Sequence, residues 1–185
     1  MERMFGCGVR QYVRVDGAAR WFGSVSIGEG RSAGRAVLDG LLQKLDQLQP
    51  SSLDAQGSWI RDTKRGSEFH LAHRDDRDAG IDLVVDQEEA LLFWLGGLNH
   101  ADREDGTPHS PWTTVAVDEI AAILRGRYRV SSHYRGSRMV KRELFDVSDG
   151  AERLISTKVN PLTSWLPSRR PRRIESRDLD YGTVH

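Results

Sequence analysis

The sequence predicts an α+β fold, in which an antiparallel sheet built from hairpins carries two main helices and is followed by a Pro/Arg-rich C-terminal tail. Three observations predict it. Short alternating apolar runs recur between turn residues, as half-buried strands require. Two longer stretches place apolar residues every three or four positions, the period of an amphipathic helix. After Asn160-Pro161 the alternation gives way to proline and arginine. The expected organisation is one domain over 1–160 and a tail or wrapped arm over 161–185.

Along the chain, Val9–Val15 alternates, Asp16-Gly17 offers a turn, and Trp21–Ile27 resumes the alternation, which together predict a hairpin. Ser32–Gln49 sets Val37, Leu38, Leu41, Leu45 and Leu48 on one stripe, with Ser32 as cap and Pro50 as stop. Glycines at 34 and 40 oppose that helix by ~1 kcal/mol each. Ser51–Gly57 reads as loop, and Ser58–Asp62 or Glu68–His73 supplies the next strand. Ile81–Val85 turns Ile81, Leu83 and Val85 inward, and Asp86-Gln87-Glu88-Glu89 connects it to Ala90–Leu95. The latter is apolar on both faces, which predicts a central strand covered on two sides. Gly96–Pro111 reads as a polar loop long enough to carry function. Trp112-Thr113-Thr114 opens the second helix, with Ala116, Ile120, Ile123 and Leu124 buried and Gly126 as its end. Arg127–Tyr134 and Met139–Val147 form a hairpin, and Arg153–Thr157 adds an edge strand.

Composition then narrows the function classes. Apolar residues make up 38% of the chain, about 48% with glycine, which is an ordinary globular balance. The 27 basic and 27 acidic side chains cancel, so neither a nucleic-acid coat nor a polyanionic DNA mimic is expected. Any charged partner must be met by a local patch. The single cysteine, Cys7, cannot form an internal disulfide, which suits a reducing compartment. Met4-Phe5-Gly6-Cys7 has the outline of a lipoprotein cleavage site, but only Met1-Glu2-Arg3 stands before it. The longest uncharged runs, Ala90–Ala101 and Gly106–Val117, have 12 residues against the ~20 needed to span a bilayer. The expected location is the cytoplasm, with no membrane partner and no cofactor.

Candidate chemistry falls into three groups. The first is metal-ligating: His70 and His73, then His100, Asp102, Glu104 and His109. A spacing of three on a strand puts His70 and His73 on opposite faces, which argues against a shared ion. His100, Asp102 and His109 could converge only through loop folding, the basis of an alternative reading as a metal-assisted hydrolase. The second is Gly28-Glu29-Gly30-Arg31-Ser32-Ala33-Gly34, whose third glycine comes one residue late for a dinucleotide fingerprint. A helix N-terminus with Arg31 could hold an anion there, but a plain turn and cap is the preferred reading. Nucleophilic catalysis finds less support, because Cys7 has no histidine near it in sequence and no serine lies in an elbow pattern.

The third group is charge segregation. From Ile120 to Arg142 there is no acidic residue, while Arg125, Arg127, Arg129, Arg135, Arg138, Lys141 and Arg142 are basic. Asp75, Asp76, Asp78, Asp82, Asp86, Glu88 and Glu89 crowd an earlier segment. With Tyr128, Val130, Ser132 and Tyr134 inward, Arg127, Arg129, Ser131 and His133 line up on the solvent face, where like charges cost stability unless something offsets them. The offset is the acidic hairpin of the same molecule, an acidic protein partner, or phosphates reached with Arg169, Arg170, Arg172 and Arg173. Among the tryptophans, Trp21 and Trp94 read as core, and Trp112 and Trp165 as candidate interface anchors.

Two segments carry a resemblance. Ile81–Leu95 is a strand, an acidic turn and an aromatic-ended strand, and Ala116–Phe145 is a short helix ending at Arg125-Gly126 followed by the Tyr134-Arg135-Gly136 hairpin. Together they resemble small, mostly uncharacterised α+β proteins of high-GC bacteria, some of them similar to immunity proteins that neutralise polymorphic toxins. The resemblance implies a non-enzymatic protein-binding module that occludes a toxin's active site, and it transfers no functional residue. The charge reading nominates Arg127, Arg129, Arg135 and Arg138 as binding residues, with Asp82 and Asp86 as an acidic counterpart. A nucleic-acid-binding or assembly subunit using the C-terminal arginine arm is the further alternative.

Overall fold

The computed structural model describes residues 17–28, 31–95, 97–102, 111–159 and 172–183, with 98–102 and 172 described by their backbone alone. It is α+β, with two helices and two sheets. The described residues divide into two compact units, 17–47 with 53–119 and 48–52 with 120–183, where the sequence reading drew a single domain over 1–160.

The first unit holds a six-stranded sheet in the order β1-β2-β3-β4-β5-β6, formed by Ser24–Ser26, Leu53–Asp62, Ser67–His73, Ile81–Val85, Glu89–Trp94 and Gly97–Asp102. All pairs are antiparallel except β1 with β2. The expected hairpin partner of Trp21–Ile27, Val9–Val15, lies outside the described residues. Within that stretch only Ser24–Ser26 is strand; Ala18–Arg20 forms a 3-10 turn, and Trp21 is buried with its indole N–H donating to Asp46 at 2.9 Å.

Helix α1 spans Ser32–Leu48, as its apolar stripe requires, with Val37, Leu38, Leu41, Leu45 and Leu48 all buried. It lies on the sheet face that carries Ser67 and Phe69. Gly34 allows the approach, since a Cβ there would stand 2.7 Å from the Ser67 Cβ. The residue that looked like a helix weakness is therefore a packing requirement. The cross-strand row Ile60, Phe69, Leu83 and Leu92 is buried beneath.

Three expectations in this unit need correction. Residues 53–57, read as loop, belong to β2, whose pairing with β3 breaks between Asp54 and Trp59. The buried Ser58 hydroxyl bridges this irregularity, donating to Asp54 O at 2.7 Å and accepting from Ala72 N at 2.9 Å. Residues 97–102, also read as loop, form edge strand β6, because pairing with β5 satisfies their backbone whatever the side-chain polarity. Strand β5 is interior to the sheet, as expected, but only one of its faces is covered: Ala90 and Leu92 are buried, whereas Phe93 is 39% exposed. Trp94 is half-buried.

Helix α2 spans Trp112–Arg125, its first half in the first unit and its second half in the second. Ala116, Ile120, Ile123 and Leu124 are buried as expected, and Val117 contacts the Gly40 site of α1. Trp112, a candidate interface anchor, is buried instead. Among the described residues no helix is long and apolar enough to cross a membrane.

The second unit is a four-stranded antiparallel sheet in the order β10-β7-β8-β9, formed by Arg172–Asp180, Arg127–Arg135, Arg138–Asp146 and Arg153–Val159. The β7–β8 hairpin and the β9 edge strand were legible in sequence. Strand β10 was not. The segment read as tail or arm pairs with β7 over nine positions, ends in the buried Leu179 and Tyr181, and is clipped by Ser52 N–H to Tyr181 O at 3.1 Å. Tyr128, Val130, Leu144 and Leu179 are buried in this sheet, and the Tyr128 hydroxyl donates to Ala122 O of α2 at 3.3 Å. Burial pushes the Tyr128 phenol up to about 12, with the nearby Asp146 charge adding to the effect.

Candidate functional site

Strand β7 alternates, so Arg127, Arg129, Ser131, His133 and Arg135 share one side of the second sheet. Register then decides what each of them meets. Arg127 stands opposite Asp180 and Arg129 opposite Asp178 on β10. The Arg129 guanidinium donates to Asp178 Oδ1 at 2.7 Å and also to Glu152, and Arg127 lies 3.5 Å from Asp180. At this end carboxylates of the C-terminal strand, an offset the sequence reading did not weigh, neutralise these cations. Arg127 and Arg129 are therefore withdrawn as binding residues. Ser131, placed in solvent by the sequence reading, is buried and hydrogen-bonds Ser176 at 2.8 Å.

The acidic segment is occupied locally. Asp82 accepts from His70 Nδ1 at 2.6 Å on the far face of the first sheet. Asp86 accepts from the backbone of Glu88 and Glu89 at 2.7 and 2.9 Å, closing the β4–β5 turn. Asp76 caps the 3-10 turn Arg77–Ala79.

At the other end of the second sheet the register partners change sign. Arg135 stands opposite Arg138 on β8 and opposite Arg172 on β10. One step inward, His133 stands between Lys141 and Ile174, and Lys141 is opposite Val159. These residues surround a cavity of about 400 Å³ lined by His133, Tyr134, Arg135, Val140, Lys141, Val159 and Ile174. Exposed apolar side chains gather in the same sheet: Ile174 is 61% exposed, and Leu154, Ile155 and Val159 about half exposed along β9. Arg173, a proposed phosphate contact, stacks over the Tyr134 ring at 4.8 Å and pairs with Glu175 at 3.1 Å. Arg169 and Arg170 lie outside the described residues.

Glu143 anchors the cavity wall. It accepts from Lys141 Nζ at 2.5 Å and from His133 Nε2 at 2.7 Å. The Lys141 hydrogen bond chiefly, then that of His133, holds the Glu143 carboxyl below the ordinary glutamate value. Asp178 is lowered by its hydrogen bond from Arg129, and Asp146 by hydrogen bonds from Ser148. Each of these groups binds a proton less readily folded than unfolded, so its stabilisation is complete above the ordinary carboxylate range near pH 4 and is lost as pH falls through the lowered values. Acid titration followed by hydrogen exchange is expected to show the second sheet losing protection below about pH 4. A Lys141→Met variant should flatten that acid limb; an unchanged limb would remove Glu143 from the account.

Of the metal candidates, only His70 and His73 have described side chains. His70 and His73 occupy opposite faces of β3, as their spacing required. His73 is buried, its Nδ1 accepting the backbone N–H of Asp75 and Asp76 at 3.2 Å each. His100 and Asp102 take alternate positions of β6 opposite Leu91 and Glu89, and His109 lies outside the described residues. Among the described residues no group of three metal-ligating side chains forms. In the glycine-rich segment Asp62 accepts the Gly28 N–H at 2.5 Å and Arg31 donates to Thr63 O at 2.7 Å, while Glu29 and Gly30 lie outside the described residues.

One surface escaped the sequence reading. On the exposed side of the first sheet, the register row Trp59, His70, Asp82 and Phe93 runs across four strands. Trp59 stacks on His70 with centroids 5.5 Å apart, and Arg61 lies 4.2 Å over Trp59 while pairing with Glu68 at 2.7 Å. Alternation within Ser58–Asp62 was the available signal, but it required knowing that β2 and β3 are both strands. No protein-family model, curated protein or solved structure matches this chain.

Proposed function

We propose that this protein is a binding module that recognises an acidic protein partner through the Arg135–Arg138 end of its second sheet. The observation that carries the reading is the reversal of register chemistry along β7. Arginines at one end stand opposite aspartates, and at the other end Arg135 stands opposite arginines. The register thus gathers cationic residues at this end of the sheet, where a carboxylate-bearing surface would find complementary charge. Exposed Ile174 and Val159 beside the cations supply what a recognition patch needs, an apolar centre within a charged rim.

The finer reading is an immunity role, in which these cations meet carboxylates of a toxin's catalytic cleft and occlude it. It rests on the likeness of Ile81–Leu95 and Ala116–Phe145 to immunity-like α+β proteins. A cytoplasmic setting would follow from it.

The test is a double charge reversal, Arg135→Glu with Arg138→Glu, beside Arg153→Glu, an exposed control on β9 that lies 3.8 Å from Asp149 and opposite Asp146. A protein encoded beside this one, captured by the wild type, should bind the double variant at least tenfold more weakly and the control unchanged. Equal binding by all three would end the proposal, as would binding that disappears on nuclease treatment.

A further inference from the structure

The open face of the first sheet holds a carboxylate that its neighbours satisfy only in part. Asp82 stands between His70 on β3 and Phe93 on β5, in the register row that begins at Trp59. Its Oδ1 accepts from His70 Nδ1 at 2.6 Å, while Oδ2 meets no donor among the described residues. The side chain is 53% exposed. We infer that Asp82 and Phe93 form a docking site for a basic side chain, lysine or arginine, of a partner polypeptide.

Charge selects a cation. The neighbouring Arg61 and Glu68 are joined by hydrogen bonds of 2.9 and 2.7 Å, so these two charges cancel each other. His70 offsets the Asp82 charge only when it is protonated. As a neutral ring it supplies one hydrogen bond and leaves the negative charge of the carboxylate in place. The ring is held where it serves this purpose. It stacks on Trp59 with centroids 5.5 Å apart, and a Cβ at Gly80 would stand 3.0 Å from its Cε1. Asp82 is thereby oriented through one oxygen, and the second can accept from an incoming N–H.

Phe93 decides the rest of the ligand. Residues directly opposite in an antiparallel pair have Cβ atoms ~5 Å apart, so one side chain can reach both Asp82 and the ring. An ammonium or guanidinium is attracted to the face of an aromatic ring, and the alkyl stem that carries it covers apolar surface. Val84 and Leu91, opposite one another and two residues along from Asp82 and Phe93, continue that surface on the same face. The whole row crosses three strand intervals of ~4.8 Å, about 14 Å in all. A free amine would leave most of it bare, whereas an extended chain can follow it, which makes a polypeptide the source. This partner is opposite in charge to the one proposed for the second sheet, and the two readings stand independently.

The experiment is a titration of the full chain at about pH 8, where imidazoles are in general neutral, followed by amide chemical shifts. The probe is the blocked peptide Leu-Lys-Leu, compared with its acetyl-lysine and glutamate counterparts and with butylammonium. The lysine peptide is expected to saturate and to shift amides around residues 70, 82 and 93. The other three should each bind at least tenfold more weakly. Asp82→Asn keeps the shape of the side chain, removes its charge and should weaken the lysine peptide at least tenfold. Phe93→Ala should weaken it at least threefold, and Asp39→Asn, at an exposed carboxylate of α1, should leave it unchanged. Equal binding of the lysine and acetyl-lysine peptides, or lysine-peptide binding unaltered by Asp82→Asn, overturns the inference. Butylammonium binding as tightly as the peptide overturns the polypeptide source. None of these variants lies in the second sheet, so failure here leaves the test of the acidic partner standing.

Discussion

Removing residues 172–185 should unfold the second sheet rather than trim a tail. The deletion takes away β10, all nine of its register positions on β7, and the buried Leu179 and Tyr181. It also strips Arg129 and Arg127 of Asp178 and Asp180, so two arginines that were neutralised across the strand pair would face only each other's repulsion and Glu152. Tyr181 alone is a severe test. It is the largest fully buried side chain among the described residues, and its truncation to alanine should cost about 3–5 kcal/mol, the range for large aromatic side chains in cores. Against a typical total of ~5–15 kcal/mol, that single change should leave the unit close to its unfolding threshold. Hydrogen exchange reads the result directly: amides of β7 and β8 should lose protection in the deletion and become markedly faster in Tyr181→Ala. If the deleted chain exchanges like the full one at these amides, β10 is dispensable and the assignment of the C-terminal segment to the sheet fails.

Phe69→Ala should destabilise the first sheet by about 3–5 kcal/mol, while Phe93→Ala should change its stability by no more than about 0.5 kcal/mol. The two residues have the same chemistry and differ in the face they occupy. Phe69 belongs to the row Ile60, Phe69, Leu83 and Leu92, which is buried, and β3 is flanked by β2 and β4. Phe93 belongs to the row Trp59, His70, Asp82 and Phe93 and is 39% exposed. Removing the first ring leaves a void among packed side chains; removing the second mostly returns surface to water that already touched it. Urea unfolding, monitored through the tryptophans, measures both. Comparable losses at the two positions would mean that the exposed face is covered in solution. That outcome would redirect the search for a partner toward the Trp59 row.

The contrast between these two phenylalanines also marks how far sequence carries. Helix α1 was legible because its stripe of Val37, Leu38, Leu41 and Leu45 is a local pattern, complete within one element. Strand β4 and the β7–β8 hairpin were legible for the same reason, through alternation and a short turn. By contrast, Ala90–Leu95 is uniformly apolar, and nothing in it distinguishes a strand buried on both faces from one beside an edge. The neighbour decides, and the neighbour is β6, a segment whose polar composition reads as loop. Residues 172–180 failed to read as strand because charged residues dominate there and Ile174 and Leu179 are the only apolar ones, and nine register positions on β7 hold them in place.

The candidate site follows the same division. By itself the sequence determined that cations would concentrate on the Arg127–Arg142 hairpin and that alternation would align them. Only the tertiary structure decided which residue each of them meets across the strands. Asp178 lies 49 residues from Arg129 and Asp180 farther still from Arg127, and no local pattern links them. Side-chain periodicity is a property of one segment, whereas charge compensation depends on which strands meet and in what register. Non-local pairing set that register, and it divided the arginines of one hairpin into a group opposite β10 aspartates and a group beside a cavity.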